Sequence, residues 1–170
     1  TYVTESGTFH NVVARIEGEK DCPLIVVGAH YDTFRDYPGA DDNASGVAAI
    51  IELSRMFAEQ GGGKAPKCPV ELVAYANEEP PFFRTKSMGS YVHAENLSRS
   101  NIDIRMMISL EAIGYFSDES SSQQYPADEL EYIYSDVGDF ITIVGDFAQV
   151  GIVRDLKSGM QSFMTTEVYS

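Results

Sequence analysis

Two stretches near the start of the chain carry residue types that do chemistry together. They are Gly28-Ala29-His30-Tyr31-Asp32-Thr33 and Pro38-Gly39-Ala40-Asp41-Asp42-Asn43-Ala44-Ser45-Gly46. An imidazole nitrogen and several carboxylate oxygens are a donor set that Zn²⁺ takes. Two further acidic groups follow, Asn77-Glu78-Glu79-Pro80-Pro81 and Glu111-Ala112-Ile113-Gly114-Tyr115. A lone histidine is more often structural than a ligand, and a lone Glu-Glu pair is more often a solvated turn. Their occurrence together is what points to metal-assisted hydrolysis. There a metal polarises a carbonyl and acidifies a water, and a carboxylate such as Glu78 takes the proton and passes it to a leaving amine.

Each acidic group follows an apolar run: Leu24 to Val27, Val70 to Ala76 and Arg105 to Leu110. These runs read as buried strands. Neighbouring strand residues point to opposite faces, but where the chain leaves the sheet two adjacent carboxylates can both turn inward. In an open α/β sheet the carboxyl edge of the strands is where ligands bind. Ala44 to Gln60 predicts a helix, with Val47, Ile50, Ile51, Leu53 and Phe57 near helical spacing, ended by Gly61-Gly62-Gly63. A second helix is predicted over Gly89 to Leu97; it contains His93, for which a buried, hydrogen-bonded structural role is favoured. His10 falls in an outer strand, Phe9 to Ile16, as a surface or half-buried residue. Phe82 and Phe83 either line a pocket or pin their loop to the core. Residues 116 to 139 form a long polar stretch, either one rim of the site or a mobile insertion. A short buried strand, Ile141 to Val144, and a helix from Phe147 past Met160 complete the pattern. The fold class is α/β, a three-layer sandwich with a mixed, largely parallel central sheet flanked by helices.

The stretches GAHYDT, PGADDNASG, YANEE and SLEAIGYF resemble the co-catalytic dizinc aminopeptidases, the family of bacterial leucyl aminopeptidases, glutamate carboxypeptidase and glutaminyl cyclase. The resemblance runs from about Asn11 to Gly145. It implies that His30 ligates one zinc, that Asp42 bridges two, and that Glu79 ligates the second. It implies that Glu111 ligates the first, where many relatives have Asp. Glu78 would be the general base, and Asp32 would hold the His30 ring. A cis peptide after Asp42 is implied as well. Relatives supply a last histidine to the second zinc from near the C-terminus, and no histidine follows His93 here.

The implied function is a zinc-dependent aminopeptidase acting on peptide substrates. Two alternatives stand beside it: glutaminyl-cyclase-like acyl transfer at a single zinc, and a catalytically silent binding domain. Two zincs are expected in the full-length enzyme, and one or none in residues 1–170, with negligible activity from these residues alone. Without metal, the crowded carboxylates should repel one another and have raised pKa values.

The 170 residues are read as a single zinc-peptidase catalytic domain. The start at Thr1 and the missing histidine suggest a piece lacking its C-terminal part, with an exposed sheet edge open to self-association. The compartment stays unknown. A formal net charge of -14 argues against nucleic acid and anionic membranes as partners. No apolar stretch is long enough to span a bilayer. Cys22 and Cys68 each precede a proline at a strand start; a disulfide is possible, but two free thiols are the simpler expectation.

Overall fold

The structure is a computed structural model that describes residues 1–19, 21–60, 65–125 and 127–170. It divides into two compact units, Thr1–Gly114 and Tyr115–Ser170. The first opens with a hairpin of β1 (Tyr2–Thr4) and β2 (Gly7–Phe9), which the sequence reading missed. A four-stranded sheet follows, built from β3 (Val12–Ile16), β4 (Leu24–His30), β5 (Val70–Tyr75) and β6 (Ile104–Ser109). Its order is β3-β5-β4-β6. The pairs β4–β5 and β4–β6 are parallel, and β3 runs antiparallel on the outer side of β5. The expected mixed, largely parallel sheet is therefore present.

Alternation along the strands sorts the core into two faces. Val27 and Ala29 of β4 and Val70 and Leu72 of β5 face α1 (Ala44–Gln60), which buries Ile50 among them. Val47, Leu53 and Phe57 pack against the same cluster, whereas Ile51, also expected on that face, is exposed. Leu24, Val26, Val73 and Tyr75 form the opposite face, met by Leu97 of α2 (Gly89–Arg99). Helix, sheet and helix make the expected three layers within this unit. The glycine run expected to end α1 lies outside the described residues.

His93 lies on α2 and has the structural role favoured from its sequence. Its Nε2 is 3.0 Å from the Glu71 carboxylate, and the Tyr75 hydroxyl is 3.0 Å from its Nδ1. Arg15 of β3 donates to the other oxygen of Glu71 at 2.8 Å, so this buried carboxylate ties strand to strand and strand to helix. His10 is exposed, 2.9 Å from the Thr1 hydroxyl. Phe82 packs edge-on against Phe9 at 5.4 Å, which resolves its role as an anchor of its loop.

The expectation of two free thiols is overturned: Cys22 and Cys68 form a disulfide, with Cα atoms 4.9 Å apart. The reason is register. Ile25 of β4 pairs with Val70 of β5, so the residues that lead into these parallel neighbours start side by side.

In the second unit, β7 (Phe140–Thr142) pairs in parallel with β8 (Glu167–Tyr169), and α3 (Val150–Phe163) lies between them in sequence. The strand expected over Ile141 to Val144 is shorter and shifted, and it is not fully buried; Val144 is exposed. Val168 and a set of rings from Tyr125, Tyr134, Phe140 and Tyr169 supply the packing here. The expected C-terminal helix is present, led in by a 3₁₀ turn, Phe147–Gln149. Among the described residues, the stretch 116–139 is irregular apart from a 3₁₀ turn, Asp128–Tyr132.

Candidate metal centre

Register sets the site. β4 lies between β5 and β6, with His30 opposite Tyr75 on one side and Gly28 opposite Ser109 on the other. The chain leaving β5 therefore delivers Glu78 and Glu79 to one side of His30. The chain leaving β6 delivers Glu111 to the other. The loop after β4 returns Asp42 to the same edge at the start of α1.

The His30 ring is buried, and its Nε2 faces the acidic groups. The Asp42 carboxylate lies 3.0 Å from it, that of Glu111 3.2 Å and that of Glu78 3.9 Å. Ligand atoms of His30, Asp42 and Glu79 all lie within 4.8 Å of one another. Two donors bound to one zinc at tetrahedral angles sit roughly 3.4 Å apart, so the contacts of Asp42 and Glu111 with His30 suit a shared ion. Nitrogen and carboxylate oxygens are a donor set that zinc takes. Asp42 belongs both to the group with Glu111 and to the group with Glu79. Asp42 and Glu111 are exposed, so the cluster is open to solvent on their side while His30 is not.

Asp32 does more than was read from the sequence. The ring Nδ1 of His30 lies 3.0 Å from the Asp32 backbone carbonyl and 3.6 Å from its carboxylate. The two carboxylate oxygens accept the backbone N–H groups of Glu78 and Glu79, at 3.1 and 3.0 Å. One residue thus orients the ring and clamps the Glu-Glu turn beside it.

Asn43 was missed as a site residue. It is fully buried, and its side chain joins α1 to the loop after β6. The amide NH₂ donates to the Leu110 carbonyl at 2.8 Å and lies 3.4 Å from the Glu111 carboxylate. Its Oδ1 accepts from Gly46 N–H at 3.2 Å, capping α1, and from Ala112 N–H at 3.4 Å. A Cβ on Gly46 would lie 2.5 Å from that same oxygen and 2.9 Å from the Ala29 side chain, so the helix can start this close to the strand only with glycine there. The Asp42–Asn43 peptide is cis, as the resemblance implied. The one signal in the sequence for Asn43 is its place between the acidic pair and the apolar helix.

The charges are strongly coupled. Burial alone would lower the His30 pKa, but the carboxylates of Asp32, Glu111 and Glu78 outweigh it and push it up to about 10. Burial also raises Glu78, Glu79 and Glu111 above the ordinary carboxylate range. Their acidic neighbours add to this and His30 opposes it, so desolvation is a larger cause than the repulsion expected from sequence. Burial works the same way on Asp32, yet the His30 ring and the N–H groups of Glu79 and Glu78 hold it below its usual value.

Comparison with known proteins places this geometry in context. Residues 11–148 match the model of peptidase family M28. The chain is 46% identical over 172 residues to the Escherichia coli K12 protein YfbL, covering 96% of this chain and 51% of that protein. It is 25% identical over 164 residues to leucine aminopeptidase 1 of Fusarium vanettenii, covering 91% of this chain and 37% of that protein. The solved structure of the Legionella pneumophila LapA aminopeptidase superposes with a TM-score of 0.68 at 21% identity, covering 93% of this chain and 36% of the other. The chain thus spans about half the length of YfbL, and less of the other two.

Proposed function

The chain belongs to peptidase family M28, and from that premise we propose that it carries the metal-binding part of a zinc-dependent aminopeptidase domain. The observation that supports this most is the meeting of His30, Asp42, Glu78, Glu79 and Glu111 at the ends of three neighbouring strands. His30, Asp42 and Glu111 would hold one zinc, and Asp42 with Glu79 would contribute to a second. Residues 1–170 would bind one zinc tightly, because Asp42 and Glu79 are too few for a second site that normally needs three protein ligands. When bound, zinc supplies Lewis-acid polarisation of the scissile carbonyl and acidifies the attacking water.

The protein's own groups do the rest. Glu78 stands 3.9 Å from the His30 ring nitrogen, next to the shortest contacts and not among them. From there its carboxylate takes a proton from the attacking water and hands it to the leaving amine. Burial raises its pKa and so strengthens it as a base. Asp32 holds the backbone of Glu78 and Glu79 fixed while this happens. Asn43 keeps the loop bearing Glu111 in register with α1.

A panel of aminoacyl-anilide substrates against the full-length protein, with and without chelator, tests the reading. Release of free amino acids, lost with chelator and restored by zinc, is the expected result. Cyclised products from glutaminyl substrates, or no turnover of any substrate after zinc is restored, would contradict it.

A further inference from the structure

Residues 77–88, which carry Glu78 and Glu79, form a compact loop whose ends meet. Gly89 N–H, at the start of α2, donates at 2.8 Å to the carbonyl of Ala76, just past β5. A Cβ on Gly89 would lie 2.6 Å from that carbonyl oxygen, so the closure needs glycine there. Asn11 spans the same two residues. Its Oδ1 accepts from Ala76 N–H at 3.2 Å, and its NH₂ donates to the Gly89 carbonyl at 2.8 Å. The Tyr2 hydroxyl donates to the Ser87 carbonyl at 3.1 Å, and the Asn77 amide donates to the same oxygen at 3.3 Å. Asn77 is buried at φ 61, a left-handed conformation that asparagine adopts more readily than most residues, and the chain turns there into the Glu-Glu pair. The Phe9 ring meets Phe82, whose N–H donates to the Glu79 carbonyl at 3.0 Å. Tyr2, Phe9 and Asn11 thus reach the start, middle and end of the loop.

The hairpin is placed for this. Among the described residues β1 and β2 pair with each other alone, and a lone two-stranded hairpin is at best marginally stable in water. Tyr2 and Phe9 are register partners on its half-covered face, while Val3 and Thr8 on the other face are exposed. The covered face is the one that meets the loop. The Tyr31 hydroxyl donates to the His10 carbonyl at 2.8 Å, which fastens the segment to the chain leaving β4.

We propose that the segment from Tyr2 to Asn11 is a brace that sets the position of Glu78 and Glu79, with Asn11, Phe9 and Tyr2 as positioning residues for the reaction. The inference rests on reading Glu78 as the general base of an aminopeptidase. Asp32 grips the Glu-Glu turn from the β4 side, through the backbone N–H groups of Glu78 and Glu79. The brace grips the same loop at its two ends and at Phe82. A base must stand within hydrogen-bond reach of its proton, and a misplacement of about 1 Å can cost roughly 10²-fold in rate. His30, Asp42 and Glu111 stand on other segments, so the brace acts on turnover more than on the zinc they would hold.

Two measurements on the full-length Asn11→Ala, Phe9→Ala and Tyr2→Phe proteins test this. The first is amide hydrogen exchange without metal. In Asn11→Ala the Glu78 and Glu79 amides should exchange about 10-fold or more faster, while the amides of β4 keep their rates and show the fold intact. The second is turnover of aminoacyl-anilides with zinc saturating. In Asn11→Ala kcat should fall by about 10-fold, with KM and zinc affinity close to those of the parent. Phe9→Ala should show the same two changes. Tyr2→Phe, which removes one hydroxyl and keeps the ring packed, should show them to a smaller degree. Added to Glu78→Gln, Asn11→Ala should lower kcat little further, because it acts through Glu78. Parental exchange at Glu78 and Glu79 in all three variants, or faster exchange with undiminished kcat, would overturn the brace and leave the metal site standing. So would a loss on top of Glu78→Gln as large as that in the parent. No turnover by the zinc-loaded parent would instead contradict the aminopeptidase reading beneath it.

Discussion

Glu78 and Asp42 are both carboxylates beside one imidazole, but they stand differently to it. Asp42 approaches the His30 Nε2 to 3.0 Å, within the range of a shared ligand, while Glu78 stays at 3.9 Å. Glu78 is also the less exposed, so its charge is more costly and its proton affinity higher. That difference predicts separable effects on substitution. Glu78→Gln keeps shape and removes the base, so turnover of aminoacyl-anilides by the full-length protein should fall by about 10²–10⁴-fold. Zinc affinity should change little, because Gln leaves His30, Asp42, Glu79 and Glu111 in place. Parallel loss of zinc and activity would show that Glu78 is a ligand instead.

At the scale of elements, the strands and the first helix were legible because their signals are local. β4, β5 and β6 are short apolar runs, and α1 begins at Ala44, as read from the sequence. Their carboxyl ends announce His30, Glu78, Glu79 and Glu111 by residue type. What the sequence concealed depends on neighbours in space. The Cys22–Cys68 bond needs the register of β4 against β5, and the Asn43 clamp needs β6 beside β4. The hairpin of β1 and β2 is too short to show an alternating pattern, and the strand near Ile141 is paired by β8, far along the chain. The disulfide closes a segment with a sequence separation of 46, which contains α1. Replacing both cysteines by serine should lower stability by about 2–4 kcal/mol, measured by urea unfolding of the oxidised protein. Indistinguishable midpoints would mean that the bond does not form in solution.

Across the whole molecule, the same cluster that suits a metal weighs on the metal-free protein. His30 is held up to about 10, above its ordinary 6.5, because it is surrounded by carboxylates. A raised pKa on a base stabilises the fold fully below pH 6.5, and that contribution is lost as pH rises through 10. The raised pKa values of Glu78, Glu79 and Glu111 act in the same direction at lower pH, since the folded state holds their protons more tightly. Metal-free protein should therefore melt at progressively lower temperature as pH is raised from 6.5 to 10, and His30→Asn should show a shallower fall. The slope should flatten in the zinc-loaded protein, where a ligating imidazole is already neutral. Thermal melts across this pH range read the effect directly. A flat profile without metal would mean that the cluster is looser than its distances indicate.

The central claim is that His30 and the carboxylates around it form a metal site, and zinc titration into metal-free protein tests it most directly. Calorimetry on residues 1–170 should find one tightly held zinc per chain. With His30→Ala that affinity should fall by at least about 100-fold, the upper end of what losing even a supporting partner costs. Equal zinc affinity in the two proteins, or no zinc bound by either, would contradict the account.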